Sequence, residues 1–253
     1  MKSHLSYKFC IIILFSPIFT FAQLPCITDN TGTLEKKNGQ FEFCNGFGFH
    51  NEHRCIVNST EISTVFTYGV VDNCDFVMGY PFLFSNILED SVINKISGFS
   101  DINMEIKYFF LKREKISFAF KPGISIPSGA YEKGLGSGKV SGSAFLISTI
   151  DCSPILFNIN AGYLQNANKC GDAMYIWHFS ASIDYATQNN LHFICNTGIE
   201  KNPDKSETIN PVFALLGLYY VINDNFEIST GYKNGVTHTE TKHSFMYGLT
   251  MRF

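Results

Sequence analysis

From Gly39 to Phe253 the sequence alternates between apolar and polar residues in window after window. No other feature constrains the fold as strongly. Ile102, Met104, Ile106, Tyr108 and Phe110 interleave with Asn103, Glu105, Lys107 and Phe109. Tyr175, Trp177, Phe179, Ala181, Ile183 and Tyr185 interleave with His178, Ser180, Ser182 and Asp184, and Phe245, Tyr247, Leu249, Met251 and Phe253 with Ser244, Met246, Gly248, Thr250 and Arg252. Successive side chains of a strand point to opposite faces, so each window is a strand with one apolar face and one wetter face.

Twelve such windows are expected, at 39–50, 59–69, 74–83, 101–111, 115–127, 139–150, 154–165, 174–186, 191–201, 211–222, 225–235 and 243–253. Most are near the roughly 9 to 11 residues a tilted strand needs to cross a bilayer. The windows at 139–150 and 211–222 alternate poorly, and the pattern does not set their register. The connections take turns in length. Tight links at 71–73, 112–114, 151–153, 188–190 and 223–225 alternate with longer polar ones at 51–58, 84–100, 128–138, 166–173, 202–210 and 236–242. Short turns at one end, long loops at the other and an even number of antiparallel strands is the plan of an outer-membrane barrel. Closure matters because an open sheet edge in lipid would leave backbone groups unpaired. The expectation is an all-β chain forming a closed antiparallel transmembrane β-barrel of about twelve strands, with Phe253 at the interfacial aromatic girdle.

A water-soluble sandwich would show the same alternation, so other features decide. Charged residues are 16% of the chain and aromatic residues 15%, with 25 Phe and 12 Tyr against one Trp; ordinary soluble domains carry roughly 25% charge. Residues 1–22 have a basic start with Lys2 and Lys8, a short apolar run and Ala22 before Gln23, the plan of a secretory signal peptide cleaved after Ala22. That leaves 23–38 as a periplasmic segment, a candidate to plug the lumen, and 39–253 as the barrel. The net charge is −3 and becomes more acidic without Lys2 and Lys8, so no basic tract remains to neutralise phosphates and nucleic acid is excluded as a partner.

Eleven charged or ionisable residues fall on the polar faces: Glu42, Glu105, Lys107, Lys121, His178, Asp184, His192, Glu200, Glu227, Lys233 and Arg252. They are the candidates to line the lumen, either as a solute path or as an ion network filling the interior. Barrels of about eight strands are packed shut and those of about sixteen hold an aqueous channel, so twelve should enclose a narrow lumen.

Other constellations carry less. The run Gly134 to Lys139 resembles a phosphate cradle, but a strand follows it where such a site needs a helix. His50 and His53 near Cys55, and His238 and His243 near Glu240, lack the spacing of a closed metal site. His178, Ser180 and Asp184 have a triad's residue types on one strand face, where they cannot converge without partners from neighbouring strands. No catalytic residue, metal or cofactor is expected. Seven cysteines follow the leader; Cys74 and Cys152 adjoin tight turns and Cys55 and Cys170 lie near long loops, so pairing within each end is an option, while Cys195 sits on the apolar face as a small hydrophobe.

Several stretches carry a family likeness. Ser97 to Tyr108, Phe118 to Gly129, Lys133 to Lys139, Phe157 to Tyr163, Gly198 to Pro203 and the ending Gly248 to Phe253, together with Ile27 to Thr33, resemble the outer-membrane family labelled putative meta-pathway of phenol degradation. The resemblance implies a bacterial outer-membrane barrel of transporter type passing aromatic or other apolar small molecules, and brings no catalytic residues. Its implied partners are outer-membrane lipid, a small-molecule solute and the barrel-assembly machinery acting through the C-terminal strand. The alternatives are a non-conducting barrel whose loops bind a surface partner, and an outer-membrane lipid hydrolase.

Overall fold

The computed structural model describes residues 25–52, 55–89 and 92–253. The signal peptide expected at 1–22 lies outside them. The strands are β1 (Gly39–Glu52), β2 (Cys55–Val71), β3 (Cys74–Glu89), β4 (Val92–Phe99), β5 (Ile102–Arg113), β6 (Ile116–Ile126), β7 (Ser141–Cys152), β8 (Ile155–Gln165), β9 (Tyr175–Ala186), β10 (Leu191–Glu200), β11 (Val212–Asn223), β12 (Phe226–Gly235) and β13 (His243–Arg252). Each pairs antiparallel with its neighbours. β1 pairs with both β2 and β13, and β2 with β3, which closes the sheet.

Among the described residues thirteen strands make twelve crossings, because β4 and β5 are two halves of one. β4 pairs with the outer half of β3, from Phe82↔Phe99 to Glu89↔Val92, and β5 with its inner half, from Cys74↔Tyr108 to Gly79↔Asn103. The break falls at Ser100 and Asp101, where Asp101 turns to hold a loop. All twelve expected windows are strands.

Two of the expected long loops are not loops. Residues 51–58 and 84–100 mostly continue β1 to β4 as extended hairpins, paired out to Glu52↔Cys55 and Glu89↔Val92. In the extended part of β2 and β3 one face is buried at Val57, Ser59, Ser85 and Ile87 and the other exposed at Ile56, Asn58, Phe84 and Asn86; each face mixes apolar and polar residues, so alternation fades while ladder hydrogen bonds still hold the strands. The remaining long connections, 127–140, 166–174, 201–211 and 236–242, gather at this loop end, and the tight turns gather at the other.

The outer face is apolar and exposed over its whole circumference: Phe43, Tyr108, Phe120, Leu146, Phe179, Phe193, Leu216, Ile228 and Tyr247 all point away from the lumen. Each would gain on the order of 1.5–3 kcal/mol from being covered. The buried set is largely polar, the inverse of a water-soluble domain and the pattern of a barrel in hydrocarbon. At the turn end the seam closes through reciprocal hydrogen bonds between Gly39 and Phe253, of 2.7 and 2.9 Å. Phe253, 63% exposed, stacks on Phe41 with ring centroids 5.8 Å apart, and Phe41 in turn lies 5.0 Å from Phe66.

Candidate functional site

Residues 25–38 run inside the barrel. From the turn end, where the amide of Lys36 donates to Asp72 (3.1 Å), the segment climbs to Leu34, whose amide donates to both carboxylate oxygens of Asp75 (3.1 and 3.0 Å). Thr31 then takes Thr149 with its amide (3.0 Å) and Ser117 with its hydroxyl (2.6 Å). Next comes Asp29, which accepts from Lys107 (2.9 Å) and Lys121 (2.8 Å), one ammonium to each carboxylate oxygen. Asn160 meets its backbone: the Asp29 amide donates to the Asn160 oxygen (2.7 Å) and the Asn160 amide donates to the Asp29 carbonyl (2.9 Å). Beyond it the amides of Ile27 and Thr28 donate to Asn196 (2.8 and 3.2 Å), whose own amide donates to the Thr28 hydroxyl (2.6 Å). Cys26 and Ile27 pack on Ile194, Phe213, Leu215 and Tyr219, and Pro25 reaches Gly217 and Gly231.

The segment therefore touches the inner wall at β3, β5 to β8 and β10 to β12, stitched mainly by backbone amides meeting side chains of the wall. Its charged anchor is Asp29. Burial alone would push that carboxyl up, but Lys107 and Lys121 outweigh burial and hold it below its ordinary value. Burial, reinforced by Asp184, pushes the Cys26 thiol up to about 12, so it stays protonated.

All eleven polar-face residues singled out from the sequence point inward, and they sort into separate groups. Glu105, Lys107 and Lys121 meet at Asp29, with Lys121 Nζ 3.5 Å from Glu105 Oε2. At the turn end Arg252 donates to Glu227 (2.9 Å) and to Gln40 (2.9 Å), and Glu42 is buried on the same inner face. Asp184, His192 and Tyr219 form a tight triangle: the Tyr219 hydroxyl donates to Asp184 (2.8 Å) and lies 2.7 Å from His192 Nδ1, which is 2.9 Å from Asp184. Toward the loop end His178 pairs with Glu200 at 3.3 Å and Lys233 with Glu240 at 2.9 Å. His178, Ser180 and Asp184 do not converge, since His178 turns to Glu200 and Asp184 to His192 and Tyr219.

Above the Asp29 layer lies a cavity of about 480 Å³. Its apolar walls are Pro81, Leu83, Leu135, Phe145 and Leu164, with Asn103, Ser125, Ser143 and Asn166 between them, Glu105 at its foot and Asp101, Glu132, Lys169 and Asp172 toward the loops. The loop 127–140 roofs it. Asp101 holds that loop by accepting from the amides of Gly129 (3.0 Å) and Ser137 (2.8 Å) and from the Ser137 hydroxyl (2.8 Å). The Gly-rich run is thus a tethered roof; Gly134 takes the left-handed conformation (φ 74°) that ends a single 3-10 turn at Tyr131–Lys133. Lys169 lies over the Tyr131 ring at 4.4 Å.

Sequence reasoning missed the uncharged half of the interior. Phe145, Ile147, Phe213, Leu215 and Tyr219 are buried on the inner face, which is why 139–150 and 211–222 alternate poorly: both of their faces are apolar. Of the residues that do most to fix the segment, Asp29 lies in an aperiodic stretch, while Asn160 and Asn196 hold polar-face positions of β8 and β10 but, being uncharged, were not singled out. Among the described residues no cluster of ligands could hold a metal. Cys74 and Cys152 are separate thiols, Cys195 lies on the outer face, and the side chain of Cys55 falls outside the described residues.

These features define a twelve-crossing barrel of the outer-membrane type with a charged interior crossed by its own N-terminal segment. The chain belongs to the family described as "Putative MetA-pathway of phenol degradation", whose profile matches residues 46–253. No curated protein sequence matches it. Among solved structures it is similar to an outer-membrane channel from Pseudomonas putida F1, with a TM-score of 0.67 at 8% identity over 88% of this chain and 98% of that one. The KdgM porin gives 0.54 at 8% identity over 85% and 99%. The translocator domain of the autotransporter NalP from Neisseria meningitidis gives 0.53 at 9% over 87% and 90%. At such identities the likeness is one of fold.

Proposed function

We propose that the protein is a narrow passage in the bacterial outer membrane for small apolar or aromatic solutes. In this reading the turn end and the C-terminal strand's end face the periplasm, the long loops face outward, and residues 25–38, entering from the turn end, set the bore. The carrying observation is the cavity under the loop 127–140, which pairs apolar walls with a few polar groups and has the size of sites that hold a molecule of one or two rings. The family's phenol-degradation label and the fold shared with a P. putida outer-membrane channel and the KdgM porin support the same reading. The apolar outer face fits lipid as its surroundings, and the C-terminal strand, ending in Phe253 beside Phe41, is the element we assign to the assembly machinery.

Purified full-length protein in liposomes tests this with a panel of phenolic and aliphatic compounds. Flux above that of empty liposomes, changed in Lys121→Glu, is the expected result. Flux equal to empty liposomes for every compound would end the transport reading and favour a barrel that only binds a surface partner.

A further inference from the structure

The cavity under the loop 127–140 touches the buried charges of the barrel at Glu105. Lys107 and Lys121 are directed to Asp29, one ammonium to each carboxylate oxygen at 2.9 and 2.8 Å, and neither lines the cavity. Glu105 does, and it is only 5% exposed. Its partner across the β5 and β6 ladder, Gly123, leaves the space that its stem fills: a Cβ there would lie 2.9 Å from Glu105 Cγ. Lys121 Nζ stands 3.5 Å from Glu105 Oε2, and no hydrogen bond is made at that oxygen. Asp29 takes two short ammonium bonds and Asp101 three bonds from its loop. Glu105 is poorly supplied by comparison, and a carboxylate can accept several donors through its two oxygens.

The rest of the charged lining is mainly of the same sign. Asp101, Glu132 and Asp172 stand toward the loops, and among the described lining residues Lys169 is the one ammonium, drawn over the Tyr131 ring at 4.4 Å. Lys205, which reaches the Gly171 carbonyl (2.7 Å), faces Asp172 from outside the lining. An organic acid in this space would meet carboxylates at both the foot and the rim, whereas an ammonium would meet the opposite sign at both ends. Resting on the passage reading above, we propose that the cavity is a site for small amphipathic amines, whose ammonium donates to Glu105 while the apolar body lies against Leu83, Phe145 and Leu164. The amine supplies the donor that Glu105 lacks, in a roofed site where a charge-assisted hydrogen bond is strong. Lys121 keeps both Asp29 and Glu105 beside it, so binding leaves residues 25–38 anchored. Alcohols of the same shape are held by a weaker neutral bond, and carboxylates are repelled.

Equilibrium dialysis of radiolabelled benzylamine, benzyl alcohol and benzoate with the detergent-solubilised full-length protein at neutral pH, corrected for empty micelles, tests the proposal. Wild type should bind benzylamine about tenfold more tightly than benzyl alcohol, the difference between a charged and a neutral hydrogen bond, and benzoate most weakly. Glu105→Gln keeps the shape and an acceptor oxygen but drops the charge. It should bring benzylamine to the affinity of benzyl alcohol and leave the alcohol unchanged. Equal binding of amine and alcohol by the wild type, or benzoate bound most tightly, overturns the site, and so does an amine preference that survives in Glu105→Gln. The wild-type order alone decides the sign of the selectivity, whatever the folding of the variant. Flux of the three compounds in liposomes is read in parallel: flux without an amine preference in binding overturns the site and leaves the passage standing, and an amine preference without flux of any compound does the reverse.

Discussion

Gly217 and Gly231 face each other across the β11 and β12 ladder, and the notch they leave on the inner wall is filled by the ring of Pro25. A Cβ at Gly217 would lie 2.5 Å from Pro25 Cγ, and one at Gly231 would lie 3.1 Å from Pro25 Cβ. Two facing residues without side chains thus set how closely the segment approaches this wall.

Gly217→Ala should therefore push Pro25 away and loosen the segment's upper end, at a cost of about 1–3 kcal/mol typical of overpacking. Gly231→Ala should cost less, since that contact needs a shift of only a few tenths of an ångström. The barrel's own unfolding should move little in either variant. Exchange rates of residues 25–30 set against the thermal midpoint of the barrel check both statements, and equal effects of the two variants would show that Pro25 does not depend on the notch.

The Asp29 anchor makes a pH prediction. Its carboxyl titrates below the ordinary 3.8 in the folded protein because Lys107 and Lys121 favour the charged form. A depressed value adds stability that is fully present above 3.8 and is lost as pH falls through the lower folded value. Docking of the segment by this contact should thus be constant from pH 7 down to about 5 and weaken only below about 4. The part due to Asp29, among neighbours that include Glu105, Lys107, Lys121 and Asp75, is the difference between the exchange profiles of wild type and Asp29→Asn. A difference that already changes between pH 5 and 7 would contradict this assignment.

How much of this was legible beforehand depends on which medium each residue faces. Strands whose outer face meets lipid and whose inner face carries charge, such as Tyr175–Ala186, wrote their geometry plainly into a period of two. Tyr175, Trp177 and Phe179 on one side and His178 and Asp184 on the other leave little choice of register. Where Phe145 and Phe213 turn inward, the two faces become alike and the register was lost. The hairpins beyond residue 50 and around 84–99 were hidden for a related reason: Val57 and Ile87 are buried on one face while Ile56 and Phe84 are exposed on the other, so neither face is distinctly apolar or polar. The inner site was half visible. Lys107 and Lys121 could be placed on the polar face, but their partner Asp29 sits 78 and 92 residues away in an aperiodic segment, and only the closed sheet brings the three together.

The barrel seam at Gly39 and Phe253 depends on backbone hydrogen bonds covered by rings. Phe253→Ala removes the stacking on Phe41 and should lower the barrel's resistance to unfolding by about 1–3 kcal/mol, the order of one aromatic side chain leaving an apolar contact. Phe253→Tyr keeps the ring and should stay close to wild type. Heat-dependent mobility of the unboiled protein on detergent gels separates the two, and a Phe253→Ala protein as heat-resistant as wild type would place the seam's strength in the ladder alone.

Asp101 closes the roof of the cavity, and its removal should open it. Its carboxylate takes three donors from one loop, at 3.0, 2.8 and 2.8 Å, each worth on the order of 1.5–3 kcal/mol when the acceptor is charged. Asp101→Ala abandons all three, while Asp101→Asn keeps an acceptor oxygen for some of them. Because Asp101 sits at the break between β4 and β5 and not within a paired strand, the wall should survive the change. The loop, no longer tied to it, should become open to trypsin at Lys133 and Lys139. Limited proteolysis of intact liposome-inserted protein should give fast cleavage in Asp101→Ala, intermediate cleavage in Asp101→Asn and slow cleavage in wild type. Equal rates in all three would mean that the loop is held by the burial of its Leu135 and by Lys169 over Tyr131, and that the cavity's roof does not hang on this carboxylate.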